Sequence, residues 1–353
     1  MKSTMIGNNK RIEYIDALRG FTMILVVMGH TRTICMNANN DFFSFLELFF
    51  QFRMPLFFFI SGFVFYSAKR VWNWDDFIVF MKKKIPVQII TPALFFISYC
   101  VVKQIDISYA LLSTNKVGYW FTTTLFEFFL FYIFFFRIIE KISNKTLKII
   151  IWVSIGVVFY VTTAAPVLNR LGIIEHPMVW LFDVVKLNYF LYFILGTLVK
   201  QYYTKFCNLL DGRNLVLGCL FLYFGLNVLN NVCVNNLFRF ISFFVCSICG
   251  LVLIFTLFRK YEGTFTKDKK LGRMLQYIGR HTLDIYLLHY FFLPQNMKEV
   301  SLIFSKVELP LFEFFFALGV ALMVIVGCLM TSTVYRLSPF VEEKLFGVKK
   351  SNL

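Results

Sequence analysis

The stretch Ile15-Asp16-Ala17-Leu18-Arg19-Gly20-Phe21-Thr22-Met23-Ile24-Leu25-Val26-Val27-Met28-Gly29-His30 decides how the chain is read. It is apolar enough for a membrane helix, yet it carries a carboxylate, a guanidinium and an imidazole. At about 100° per residue, the step from Arg19 to His30 closes roughly three whole turns. Both side chains therefore leave one face of one helix, about 16 Å apart along its axis. Asp16 falls on the same stripe. Ionisable groups inside a bilayer cost about 2.5–3.5 kcal/mol each on insertion scales, and they mark sites of function. The stripe is a candidate membrane active site.

The rest of the composition agrees with a membrane setting. Of 353 residues, 58% are hydrophobic, 47 are Phe and only 16% are charged, with a mean hydropathy of +0.69. Lipid leaves no unpaired backbone without cost, so the class is an all-α polytopic bundle. Ten spans are expected, at about 18–35, 43–66, 85–102, 117–136, 149–166, 179–199, 214–231, 237–258, 281–294 and 311–334. The segments on the even side of those spans hold 26 of the 36 Lys and Arg residues. Positive charge stays cytoplasmic, which puts both termini inside. The net charge of +16 is thus explained by topology and contact with anionic lipid, and nucleic acid is excluded as a partner. The polar start of the chain and the long first apolar run argue against a cleaved leader.

The whole chain, 1–353, is expected to form a single integral-membrane domain, because its longest polar stretch, 259–280, is too short for a second one. Neither an internal repeat, a phosphate-binding loop, a nucleophile elbow nor a dinucleotide fingerprint is visible. The eight cysteines are scattered through apolar stretches. Cys246 and Cys249 form a CxxC without a second pair, which reads as buried thiols. No metal site and no permanently bound cofactor are expected.

Several residues besides the stripe could carry chemistry. His30 is suited to act as a general base on a hydroxyl, the bland alternative being a core histidine bonded to a carbonyl. Asp16 and Arg19, at i and i+3, either neutralise each other or present a held guanidinium fork to phosphate. In Phe52-Arg53-Met54-Pro55-Leu56-Phe57-Phe58-Phe59-Ile60-Ser61-Gly62-Phe63, Pro55 starts or kinks a helix and Ser61-Gly62 permits close packing. Phe42 to Phe50 reads as an interfacial helix ahead of it. Arg53, near the outer surface, either pairs with Glu47 or binds substrate. Lys82, Lys83 and Lys84 precede the third span and serve as a topology anchor or hold donor phosphates. Tyr119-Trp120-Phe121 opens the fourth span as an aromatic belt, and Glu127 lies one heptad further in. Asp284 and His289 share one short span near the end.

Together these stretches resemble membrane-bound acyltransferase family 3. The likeness rests on Ile15-Asp16-Ala17-Leu18-Arg19-Gly20 with His30 eleven residues after Arg19, on Met54 to Phe63, on Trp120-Phe121, and on Ile278-Gly279 with Ile285-Tyr286-Leu287-Leu288-His289. The resemblance implies about ten spans and transfer of an acyl group, most often acetyl from acetyl-CoA, to a hydroxyl of a bacterial surface or lipid-linked glycan. It makes Arg19 and His30 the essential pair, Asp16 their support, and Lys82–Lys84 with Arg19 the donor site. Arg53, Ser61, Trp120, Glu127 and His289 would line the site, in a multi-pass protein of the bacterial inner membrane. Two positions depart from the family pattern: Arg53 stands where a His is common before Met-Pro, and Gln88 stands where a second base is expected. The rival reading is a transporter or flippase for a glycan or lipid-linked sugar, with Asp16, Glu127, Asp284 and Glu313 as an ion-coupled path.

Overall fold

Every regular element of the computed structural model is a helix among the residues it describes: 12–36, 45–68, 70, 72–161, 184–232, 235–295, 297, 299–300, 302–303 and 310–338. In chain order the α-helices are α1 Glu13–His30, α2 Phe45–Phe65, α3 Trp74–Ile85, α4 Thr91–Lys103, α5 Ile107–Leu112, α6 Trp120–Ile139 and α7 Lys145–Val161. After the undescribed segment come α8 Phe190–Gln201, α9 Tyr203–Leu210, α10 Arg213–Val232, α11 Asn236–Lys260, α12 Lys270–Arg280, α13 Thr282–Phe292 and α14 Pro310–Tyr335. Asparagine caps, Asn73, Asn144 and Asn235, start three of them. The Asn73 side chain accepts from Asp76 N at 2.7 Å, and that of Asn235 accepts from Leu237 N at 2.9 Å.

Six of these helical runs are long and apolar enough to cross a membrane, so the chain is a multi-pass membrane protein. They are Phe45–Phe65, Trp74–Lys103, Trp120–Ile139, Arg213–Asn230, Asn236–Lys260 and Pro310–Tyr335. The first expected span, α1, is absent from the six because its own stripe of charge, Glu13, Asp16 and Arg19, exceeds what such a span normally carries. The expected spans at 149–166 and 179–199 fall partly outside the described residues. The expected span at 281–294 is α13, whose 11 residues rise only about 16 Å. It lies buried inside the bundle and too short to cross alone.

One local expectation is corrected, and two stretches gain detail. Pro55 does not start a helix: α2 runs unbroken from Phe45 through it, so Phe45 to Phe50 belong to that helix. Proline removes the donor that the carbonyl four residues earlier would receive. That carbonyl, on Gln51, instead lies 2.7 Å from Ser247 Oγ across the α2–α11 contact, a hydroxyl whose one proton is shared with the Phe243 carbonyl at the same distance. The helix that carries the third span begins well before residue 85, because α3 and α4 join through a π-helical turn, Pro86–Ile90, while Lys82–Lys84 confine the apolar stretch to the residues that follow them. Pro86 and Pro92 each remove a helical donor there, and the wider turn absorbs the mismatch. Lys82–Lys84 therefore lie on a helix. Finally, the polar stretch 259–280 is not all loop. It contains α12, which buries Gly272, Leu275, Gln276, Ile278 and Gly279 while exposing Leu271, Met274 and Tyr277.

Bare backbones set the two closest crossings. A Cβ on Gly20 of α1 would lie 1.9 Å from the Leu275 carbonyl oxygen of α12, and one on Gly279 1.9 Å from that of Asp16. Between α2 and α8, Gly62 and Gly196 play the same part against the carbonyls of Phe193 and Phe59, each 2.0 Å from the absent Cβ.

Replacing Ser247 by Ala should strand the Gln51 carbonyl and destabilise the bundle by about 1–3 kcal/mol. Pro55→Ala, which restores the helical donor, should relieve most of that loss. Thermal denaturation in detergent of both single variants and the double variant tests this, and strictly additive effects would refute the link.

Candidate active site

Two sites of polar chemistry lie at opposite ends of α1. At the Glu13 end, Arg19 donates from Nη2 to Thr282 Oγ1 at 2.9 Å, where α12 turns into α13. Asp16 is buried beside this crossing. Lys84 lies close enough to Arg19, Lys83 and Arg70 for their charges to act on it, and its Nζ is 5.4 Å from the Phe129 ring. Lys82 and Lys83 are exposed. Arg70, in the loop after α2, packs over the rings of Phe65, Trp72 and Phe80, with its guanidinium 4.8 Å from Trp72. Burial among those rings lowers its pKa from the ordinary arginine value, and Asp76 opposes the shift. Arg19 and Lys84 are thus brought together with Arg70, while Lys82 and Lys83 keep open access to solvent.

At the other end of α1 lies a cavity of about 500 Å³. His30, Arg53 and Trp120 line it, together with Tyr189, Tyr286 and Tyr290. His30 Nε2 is 3.1 Å from the Tyr290 hydroxyl. Behind it the His289 ring sits 5.2 Å from that of His30 and 4.0 Å from that of Tyr290. His289 Nδ1 is 2.9 and 3.0 Å from the carbonyl oxygens of Tyr286 and Ile285. A carbonyl can only accept, so Nδ1 carries the proton. The buried Nε2 is then a bare lone pair, and it has no partner.

Arg53 reaches the cavity because residue 29 is glycine. Its Nη1 lies 1.1 Å from where a Cβ on Gly29 would be. The guanidinium carbon is 4.2 Å from the centre of the Phe50 ring, and Nη1 is buried without a hydrogen-bond partner. The Glu47 pairing considered from sequence is taken by Arg32, which reaches Glu47 and Glu313 at 3.1 Å each. Another wall is the turn Lys116-Val117-Gly118, with φ of 43°, 50° and 96°. Left-handed backbone at a β-branched residue costs of order 1–3 kcal/mol. Two tyrosines hold it: Tyr286 donates to the Gly118 carbonyl at 3.3 Å, and Tyr119 donates to that of Leu287 at 2.8 Å.

Other expected site residues lie elsewhere. Ser61 donates to the Phe57 carbonyl of its own helix at 2.8 Å and does not line the cavity. Glu127 is half-buried on α6, away from the cavity, with Oε2 unpartnered. His289 stands one layer behind the cavity wall. Asp284 is clamped by Arg336 at 2.8–3.1 Å and by Ser332 at 2.6 Å. Tyr290, Tyr189 and the left-handed turn were not singled out from sequence. Gly118 is their one visible trace.

A family model described as an acyltransferase domain matches residues 12–332, nearly the whole chain. Searches of curated proteins and of solved structures found no match.

The turn at Gly118 gives a matched pair of substitutions. A Cβ there would meet Tyr290 Oη at 2.0 Å on a backbone that disfavours it, whereas Gly225 on α10 faces open space. Gly118→Ala should destabilise by about 1–3 kcal/mol, and Gly225→Ala should stabilise by about 0.4–1 kcal/mol. Melting curves of the two variants check the opposite signs.

Proposed function

The chain belongs to acyltransferase family 3, and from that premise we propose that it is a membrane O-acyltransferase of a bacterial inner membrane. It takes an acyl group, most often acetyl, from acyl-CoA and places it on a hydroxyl of a cell-surface or lipid-linked glycan, acting as one integral-membrane domain with both termini cytoplasmic. The observation that carries this reading is His30. Its imidazole faces a cavity, is hydrogen-bonded to Tyr290, and stands on the same helix as Arg19, which lies about 16 Å away along the axis and meets Lys84 at the other end.

The cation cluster is the donor end. Arg19 and Lys84, with Lys82 and Lys83 nearby, attract the phosphates of an acyl-CoA arriving from the cytosol, and Asp16 supports Arg19. The acyl-bearing arm then runs along α1 towards His30. The cavity ends at Met23, about 6 Å short of Arg19 at 1.5 Å per residue, so donor entry opens that one turn. At His30 the acceptor oxygen attacks the thioester carbonyl while the imidazole takes its proton. The tetrahedral intermediate collapses, the C–S bond breaks, and the same proton neutralises the departing thiolate. His30 Nε2 is bonded to the hydroxyl of Tyr290, which also lines the cavity, so this phenol relays the proton or turns aside as the acceptor binds.

The transporter reading loses its support. Membership of an acyltransferase family speaks for chemistry, and two of its four carboxylates are locked in ion pairs, Asp284 with Arg336 and Glu313 with Arg32.

His30→Ala should lower transfer by about 10²–10⁴-fold with donor affinity retained, whereas Arg19→Ala should weaken donor binding. Transfer and acyl-CoA binding measured on purified protein check both. Full activity in His30→Ala would end the assignment, and unchanged donor affinity in Arg19→Ala would remove its role.

A further inference from the structure

Buried Arg32 and half-buried Arg336 each have a carboxylate partner, whereas no described carboxylate pairs with half-buried Arg53. Arg32 has two carboxylates, and Arg336 has Asp284 in a bidentate pair. Arg53 has the face of Phe50, the bare backbone of Gly29 and an Nη1 with no partner. No Asp or Glu is among the described residues lining the cavity it faces. Holding a half-buried cation with a buried, unpartnered Nη1 among apolar walls is costly. Its persistence beside the base is explained if an anion arrives with a substrate.

The facing wall indicates which substrate. Trp120 and Tyr189 stack, with centroids 5.7 Å apart and planes 21° from parallel, and both line the cavity. Such a flat amphipathic aromatic surface suits the C–H face of a sugar ring. Lys186 Nζ lies 5.8 Å from the Trp120 ring. The donor phosphates belong to the opposite end of α1, so the anion at Arg53 comes with the acceptor.

We propose that the acceptor is an acidic sugar, whose carboxylate or phosphate pairs with Arg53 while its ring lies on Trp120 and Tyr189. This deepens the acyl-transfer reading and rests on it. The anionic group would stand next to the hydroxyl that His30 deprotonates.

The test uses the full chain purified in detergent, with methyl glucuronide, glucose 1-phosphate and methyl glucoside as probes. Thermal shift should rise with one or both acidic probes and not with the neutral one. The larger acidic shift tells whether a carboxylate or a phosphate is preferred. Arg53→Gln should abolish the discrimination, and Arg53→Lys should keep part of it, since an ammonium retains charge but not the bidentate fork. Gly29→Ala, whose methyl displaces the flexible tip of Arg53, should weaken it without touching Arg53 itself.

In transfer assays, Arg53→Gln should cut the acidic-over-neutral preference in kcat/KM by about 10–100-fold, as expected for loss of a charged hydrogen bond, mostly through KM. Equal shifts with neutral and acidic probes would overturn the proposal, as would an Arg53→Gln variant that loses kcat equally for both. Binding and transfer fail separately. Acidic-sugar binding without any transfer would sink the enzyme reading alone, whereas transfer indifferent to charge would sink this inference alone.

Discussion

Hydrocarbon offers no hydrogen bonds, so each polar atom placed inside this bundle must find its partner in the protein or be left for something that arrives. Most are matched with care. Ser247 serves the carbonyl that Pro55 orphans, Arg32 is shared by Glu47 and Glu313, and Asp284 is closed off by Arg336 and Ser332. Against that background the unmatched atoms stand out. Arg53 Nη1 and His289 Nε2 both adjoin His30, at the wall of the cavity or one ring behind it. Glu127 Oε2 and Gln88 Oε1, the second on the π-turn between α3 and α4, are unmatched as well, as are single atoms of Thr122, Tyr192, Asn230, Thr256, Arg259 and Glu313 away from His30.

The same constraint explains how the imidazole is held. His30, His289 and Tyr290 form a close group of rings, and His289 anchors the group by spending its one proton on backbone carbonyls. With its Nε2 left as a lone pair, His289 offers no proton towards His30. The Gly118 turn leaves room for the Tyr290 phenol, so strained backbone on one element serves a hydrogen bond on another.

How much of this could be read from the sequence follows from how local each signal is. The 3.6-residue period put Arg19 and His30 on one helix face without any tertiary information, and the two ends of α1 bear different chemistry as that placement implies. Arg53 was legible too, as a cation out of place in an apolar run. Tyr290 and Tyr189 were not: in a chain with 17 Tyr and 47 Phe, one more aromatic carries no signal until packing selects it. Pro55 misled because a proline looks the same at a helix start and at a satisfied kink. The difference lies in Ser247, nearly two hundred residues away. The α12 helix was hidden because 259–280 is rich in bases, and only its buried face against Gly20 shows the amphipathic pattern.

The two ends of α1 impose different demands on one rigid element. At Gly20 the helix is pressed against α12 so closely that no side chain fits between, which fixes Arg19 against Thr282. At Gly29 the missing side chain admits Arg53 instead, and the space it leaves is filled by a charge that nothing in the described residues neutralises. One glycine spends its emptiness on packing and the other on chemistry. Between them lies the run from Thr22 to Met28, all of it buried. A donor reaching His30 from the Arg19 end must part that run from its neighbours. That buried run separates the two ends of α1, because the cavity that His30 lines reaches along the helix only as far as Met23. Under the proposed acyl transfer, a thioester held at the Arg19 end meets the base only once that run has parted, which makes the packing of Thr22 to Met28 the step that separates donor binding from transfer.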